Sequence, residues 1–116
     1  MKRIFIAGPY SDDNVIDILH NIRAGIELST EVFKAGFAPF CPWLDFMYVL
    51  MDRRRKLTID DFYEYSIAWL LVSDAILILD GWQSSKGTLK EIEIAKSAGI
   101  PVFYNIYKLI NHEATF

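Results

Sequence analysis

Four short apolar runs divide the chain, and longer amphipathic stretches separate them. Ile4-Phe5-Ile6-Ala7 is continuous rather than alternating, the pattern of a strand covered on both faces, and Gly8-Pro9 stops it. Phe37-Ala38-Pro39-Phe40-Cys41 reads as a second strand, and its proline argues for a sheet edge. Ala75-Ile76-Leu77-Ile78-Leu79 is the clearest buried strand, closed by the turn Asp80-Gly81-Trp82. Ile100-Pro101-Val102-Phe103-Tyr104 is the last, with its proline at the start, where a strand tolerates it.

Helical spacing fills the gaps. Ser11, Asp12 and Asp13 are N-cap candidates for a long helix carrying Val15, Leu19, Ile22, Ile26 and Phe33, which stops at Gly36. Thr58 or Asp60 caps a helix through Tyr65 and Trp69 to about Val72. Another runs from about Ser85 to Ala98 and stops at Gly99. In residues 42–56, Trp43, Phe46, Met47, Val49 and Leu50 fit either a short helix or a pocket-lining loop. The tail after Asn105 has no clear pattern.

The order β-α-β-α-β-α-β predicts an α/β domain. Its sheet is mainly parallel, with about four strands, right-handed crossovers and flanking helices, a small doubly wound (flavodoxin- or Rossmann-like) arrangement. Residues 1–116 fit one domain. Ligands in such sheets bind beyond the carboxyl ends of the strands. That points to loops 8–13, 41–56 and 80–87.

Composition narrows the chemistry. Hydrophobic residues make up 53% and charged residues 23%, a globular balance, and the net charge is −3. No basic footprint of a nucleic-acid binder is present, and Arg53-Arg54-Arg55-Lys56 reads as a solvated loop. One cysteine, Cys41, permits no intrachain disulfide, and two histidines beside it give no metal-ligand spacing. The chain lacks a signal-peptide pattern and any apolar run long enough for a membrane span, so a cytoplasmic location is expected.

The third loop carries the most chemistry. Ser84, Ser85 and Lys86 bring hydroxyls and positive charge to a helix start, and Gly87 removes a side chain there. Together they suit a phosphate or carboxylate. Glu91 shares a helical stripe with Gly87 and Ala95, whose small side chains leave its carboxylate room to touch a ligand. Proximity to the first turn is expected to keep Glu91 ionised, as a nucleophile requires. Thr88-Leu89-Lys90-Glu91 fits a capping box equally well, with the glutamate satisfying only a backbone N–H. Glu93 reads as a structural partner of surface lysines.

In the first loop, Gly8 permits a close backbone approach, Pro9 follows it, and Tyr10 is placed to stack on a base or contact a sugar. An ordinary tight turn explains the same residues. In the second loop, Trp43, Phe46, Met47 and Tyr48 form either an aromatic wall or a cover for the sheet edge, and Asp45 is the only acid before Asp52.

Two segments resemble the nucleoside 2-deoxyribosyltransferase superfamily, which includes the 2′-deoxynucleoside 5′-monophosphate N-glycosidases. One is Ile4-Phe5-Ile6-Ala7-Gly8-Pro9-Tyr10-Ser11. The other runs from Ser73 through Gly81-Trp82-Gln83-Ser84-Ser85-Lys86-Gly87-Thr88-Leu89-Lys90-Glu91 to Ala95 and Gly99-Ile100-Pro101-Val102. The resemblance implies that Glu91 attacks the anomeric carbon of a deoxyribosyl group to form a glycosyl-enzyme. It also implies that Ser85 binds the 5′-phosphate and that the backbone at Gly8 approaches the sugar. Water or a second base then resolves the intermediate, with an oxocarbenium-like transition state as in a retaining glycosidase. The resemblance further implies a homo-oligomer.

The chain departs from that pattern at two positions. Phe5 stands where the family usually has tyrosine, with Tyr10 as the candidate replacement. Ser66 stands where it usually has the aspartate that handles the leaving base.

The leading expectation is therefore cleavage or transfer at the N-glycosidic bond of a (deoxy)nucleoside or its 5′-monophosphate. Glu91 and Tyr10 are catalytic. Gly8, Pro9, Ser85, Lys86, Gly87, Trp43, Asp45, Phe46 and Trp82 bind substrate, and no cofactor or metal takes part. A non-catalytic nucleotide-binding module is the alternative, and an interaction domain the third reading.

Overall fold

The computed structural model describes residues 1–112. Four strands, β1 (Arg3–Ala7), β2 (Ala38–Phe40), β3 (Ala75–Ile78) and β4 (Val102–Phe103), form one all-parallel sheet in the order β2-β1-β3-β4. Five helices flank it: α1 (Val15–Lys34), α2 (Phe46–Met51), α3 (Ile59–Leu70), α4 (Lys86–Ser97) and α5 (Ile106–His112). Residues 42–56, ambiguous by pattern, form a 3-10 turn (Pro42–Asp45) followed by α2.

The continuous apolar runs mark strands buried on both faces. Residues 4–7 and 75–78 are all buried, with Phe5 opposite Phe40 on one side and Ile76 on the other. Alternation along β1 sends Ile4 and Ile6 to one core with Val32 of α1 and Leu109 of α5. Phe5 and Ala7 go to a second core with Leu70 of α3 and Ile92 and Ala95 of α4. Helices thus cover both faces, the doubly wound arrangement expected. Pro39 lies on β2, which pairs only with β1, so its missing N–H faces the open edge.

The strand order reverses direction between β1 and β3. This is the switch point of the sheet, and ligands of open α/β sheets bind at such points, beyond the carboxyl ends of the strands, here after Ala7 and Ile78.

Two details of α1 differ from expectation. Its cap is Asn14, not Ser11, Asp12 or Asp13: the Asn14 side chain accepts from the Asp17 N–H at 2.9 Å. All four residues are good caps, so the pattern alone did not locate the start. More consequentially, Val15, Leu19, Ile26 and Phe33 are exposed and only Ile22 is half-buried, whereas Gly25, Ser29 and Val32 face the core. The periodic apolar stripe lies on the outside.

Trp43 explains the small inner face. Its side chain is 1% exposed. A Cβ built on Gly25 would stand 2.1 Å from its ring, and one built on Gly8 would stand 3.2 Å from it. The indole is pinched between α1 and the end of β1. It is tied there by Nε1, which donates to the Pro9 carbonyl at 2.9 Å.

No helix among the described residues is long and apolar enough to cross a membrane.

Candidate functional site

Three connections leave the carboxyl ends of the strands at the switch point. After β1 come Gly8, Pro9 and Tyr10. After β2 come the 3-10 turn and α2. After β3, Gly81 turns the chain with φ 87, where glycine avoids the strain a side chain would impose. It leads through a 3-10 turn (Trp82–Ser84) into α4. The first and third connections touch: a Cβ at Gly81 would lie 3.5 Å from Pro9 Cγ.

Ser85 is the N-cap of α4. Its Oγ accepts from the Thr88 backbone N–H at 3.3 Å and from the Thr88 hydroxyl at 2.9 Å. This decides between the two readings of Glu91. The cap belongs to Ser85 and Thr88, one turn earlier than the box Thr88–Glu91, and Glu91 is free of that duty. Among the described residues nothing hydrogen-bonds or pairs with its carboxyl. Replacing Ser85 with alanine removes both bonds. It is expected to cost about 1 kcal/mol in urea-monitored unfolding, typical of a lost cap.

Glu91 is not held ionised. Burial pushes its carboxyl from 4.5 up to about 8. The helix field that was expected to oppose this fades within the first turn, and Glu91 is the sixth residue of α4. Desolvation therefore wins, and the carboxyl is mainly protonated at neutral pH. Its neighbours on the stripe are small: Ala95 is buried, and Gly87 stands one turn before Glu91. A Cβ on Gly87 would meet only the Tyr63 ring and hydroxyl of α3, at 3.8 Å. No contact within the chain requires glycine at that position.

A second polar group forms across β1. The Tyr10 hydroxyl donates to Asp45, and burial raises the pKa values of both. Burial lifts Tyr65 of α3 to about 12, helped by its hydrogen bond to Tyr48 of α2 and, less, by the field of Asp45. The Tyr48 and Tyr65 rings meet at 5.7 Å, and Tyr65 in turn packs on Phe40 at 5.7 Å. The loop after β1, the turn and α2 after β2, and α3 thus bring one carboxyl and three phenols together. Sequence reasoning found Tyr10 and Asp45 but assigned no site role to Tyr65. The faint signal was the i, i+4 aromatic pair Tyr65 and Trp69, both of which pack on Phe40.

The other candidates fall into two groups. Lys86 and Ser84 are exposed at the start of α4, with the Ser84 hydroxyl donating to the Gly81 carbonyl at 3.2 Å. Phe46 is half-buried at the start of α2, and Trp82 is half-buried with its ring 5.2 Å from Tyr104.

Three residues do not hold the parts expected of them. Trp43 is sealed in the core and braces Pro9, so it offers no face to a ligand. The space at Gly8 is taken by the chain itself, since a Cβ there would stand 2.6 Å from Leu79 Cβ. Glu93 is exposed and takes part in neither of the ion pairs found among the described residues, Arg23–Glu27 and Glu31–Lys34.

Phe5 is fully buried and stacked on Phe40 at 5.3 Å. Ser66 is buried one turn before Leu70 on the inner face of α3. Two surface hollows of about 580 and 430 Å³ lie elsewhere, along the outside of α1 and beside the ends of α3 and α4. Glu91 lines neither. No group of three or more His, Cys, Asp or Glu among the described residues is arranged to hold a metal ion.

A search among curated proteins finds no match to the chain. Residues 2–105 match the profile of a family described as a domain of unknown function, DUF7768. That match spans nearly the whole fold and all of the candidate site, and the chain belongs to the DUF7768 family.

Proposed function

We propose that this domain cleaves, or transfers, at the N-glycosidic bond of a (deoxy)nucleoside or its 5′-monophosphate, with Glu91 as the nucleophile. The observation that carries the reading is the unpartnered, desolvated carboxyl of Glu91 on α4, the helix that follows β3. Resemblance to the nucleoside 2-deoxyribosyltransferase superfamily supplies the reaction class. The ionised Glu91 oxygen bonds to C1′ as the C1′–N bond breaks, and its electron pair leaves with the base. Water, or a second base, then displaces Glu91 from C1′, and a proton passes to the departed base. A buried carboxylate is a stronger partner for the positive charge that develops at C1′ than the same group in water.

The 5′ end is assigned to Ser85, Lys86 and the first turn of α4, where free N–H groups and positive charge favour an anion. The base is assigned to the Asp45, Tyr10, Tyr48 and Tyr65 group. Asp45 follows β2 and α4 follows β3, so the two lie two strand spacings apart across β1, roughly 10 Å. That separation suits a nucleoside lying over the end of β1.

One observation favours a second reading. A protonated Glu91, with Phe5 and Ser66 at the expected tyrosine and aspartate positions, suits a module that donates a hydrogen bond to a nucleotide without turning it over.

Incubation with a panel of deoxynucleosides and their monophosphates, followed by chromatography for free base, separates the two. Release by wild type and none by Glu91→Ala supports the enzyme. Equal release by both sinks the assignment of Glu91, and binding without release leaves the module. A second free base in the mixture distinguishes transfer from hydrolysis.

A further inference from the structure

On the outer stripe of α1, Ile22 packs against the core, whereas Val15, Leu19, Ile26 and Phe33 belong to neither core cluster. Val15, Leu19 and Phe33 are 65%, 59% and 63% exposed, and Ile26 is exposed beside them. With half-buried Ile22 they follow one another by steps of four, three, four and seven residues, which is the spacing of a helix–helix seam. From Val15 to Phe33, eighteen residue steps, the seam is about 27 Å long. Scattered exposed apolar residues are ordinary, whereas a continuous stripe along one helix marks a binding surface.

We propose that this stripe packs against the same stripe of a second copy, with the two α1 helices antiparallel about a two-fold axis near Ala24. The steric pattern is self-complementary in that arrangement. Ile22 meets the partner copy's Ile26, and Val15 meets its Phe33. Leu19 meets the exposed Thr30.

The charges select the same direction. Asp12, Asp13 and Asp17 stand at one end of α1 and Lys34 in its last turn. Lys34 is already paired with Glu31 at 3.5 Å, so the preference rests on the acidic ends, which antiparallel pairing keeps apart. Parallel pairing would place acid beside acid. Near the axis, Arg23 and Glu27 lie on the exposed flank of the stripe, paired within one chain at 3.0 Å. A two-fold axis there brings each arginine within reach of the other copy's glutamate as well. Opposed helix dipoles add to the preference.

One helix face is smaller than the roughly 800 Å² per partner of a standard stable interface, so the dimer is expected to dissociate on dilution. Sedimentation of the full chain over a range of concentrations should show a monomer–dimer equilibrium. Ile26→Glu places a charge in the seam twice, once per copy, and should raise the dissociation constant by about 100-fold or more. The position is exposed, so circular dichroism should show an unchanged fold. A Cys41→Ser background permits a test of direction. Val15→Cys mixed with Phe33→Cys should form a disulfide between copies, while Val15→Cys alone should not. A wild type that stays monomeric at every concentration, a dimer indifferent to Ile26→Glu, or ready self-crosslinking of Val15→Cys would each overturn the proposal.

Discussion

Gly25→Ala is expected to lower the thermal unfolding midpoint by roughly 10–15 °C, the opposite of what the same change does on an open helix. On an exposed surface, alanine for glycine in mid-helix stabilises by about 1 kcal/mol. Here the added carbon would stand 2.1 to 2.5 Å from three atoms of the Trp43 ring. The ring cannot withdraw, because it is buried and held by the Pro9 carbonyl at 2.9 Å. Either α1 lifts from the sheet or the bond to Pro9 breaks. Overpacking of this kind costs about 3 kcal/mol, which sets the size of the shift for a chain of this length. In a Trp43→Ala background the clash disappears, and Gly25→Ala should then be neutral or stabilising. Equal destabilisation in both backgrounds would show that Trp43 is not the obstacle. The pair also matters to the site, because Trp43 fixes the loop that carries Tyr10.

Glu91→Gln is expected to stabilise the protein at alkaline pH and to leave it nearly unchanged in acid. The folded carboxyl titrates near 8 and the unfolded one near 4.5. Below 4.5 both states hold the proton and the carboxyl carries no penalty. As pH rises the unfolded chain ionises first, and stability is lost progressively until about pH 8, beyond which the loss is constant. Each tenfold change in proton affinity is worth about 1.4 kcal/mol, and with some water reaching the group the whole effect is on the order of 3 kcal/mol. Glutamine has no proton to lose. Unfolding midpoints at pH 4 and pH 9 should therefore coincide for the two proteins at the lower pH and diverge at the higher, with the variant on top. Parallel curves would mean that Glu91 is not desolvated.

The sheet was legible because its strands are continuous apolar runs, and a run of that kind has one dominant explanation. Helix positions were legible as well, but not which way they face. The stripe on α1 identified a helix correctly. Its orientation depended on Trp43, eighteen residues beyond Gly25, filling the space a larger inner side chain would have used. The start of α4 was ambiguous for a local reason: Ser85 and Thr88 are both good caps, each three residues before a further cap partner. The Tyr10, Asp45, Tyr48 and Tyr65 group was only half legible, because three separate segments assemble it. Ionisation of Glu91 was misjudged because a helix position can be read from spacing and burial cannot.

The central claim is that Glu91 acts as a carboxylate, and the pH dependence of base release tests it most directly. With a deoxynucleoside 5′-monophosphate as substrate, the ionised fraction of Glu91 should limit the rate. Release should climb about tenfold per pH unit and level off near pH 8, and Glu91→Gln should be inactive throughout. A rate that falls as pH rises through 8 would make Glu91 a proton donor, and release unaffected by Glu91→Gln would remove it from the chemistry.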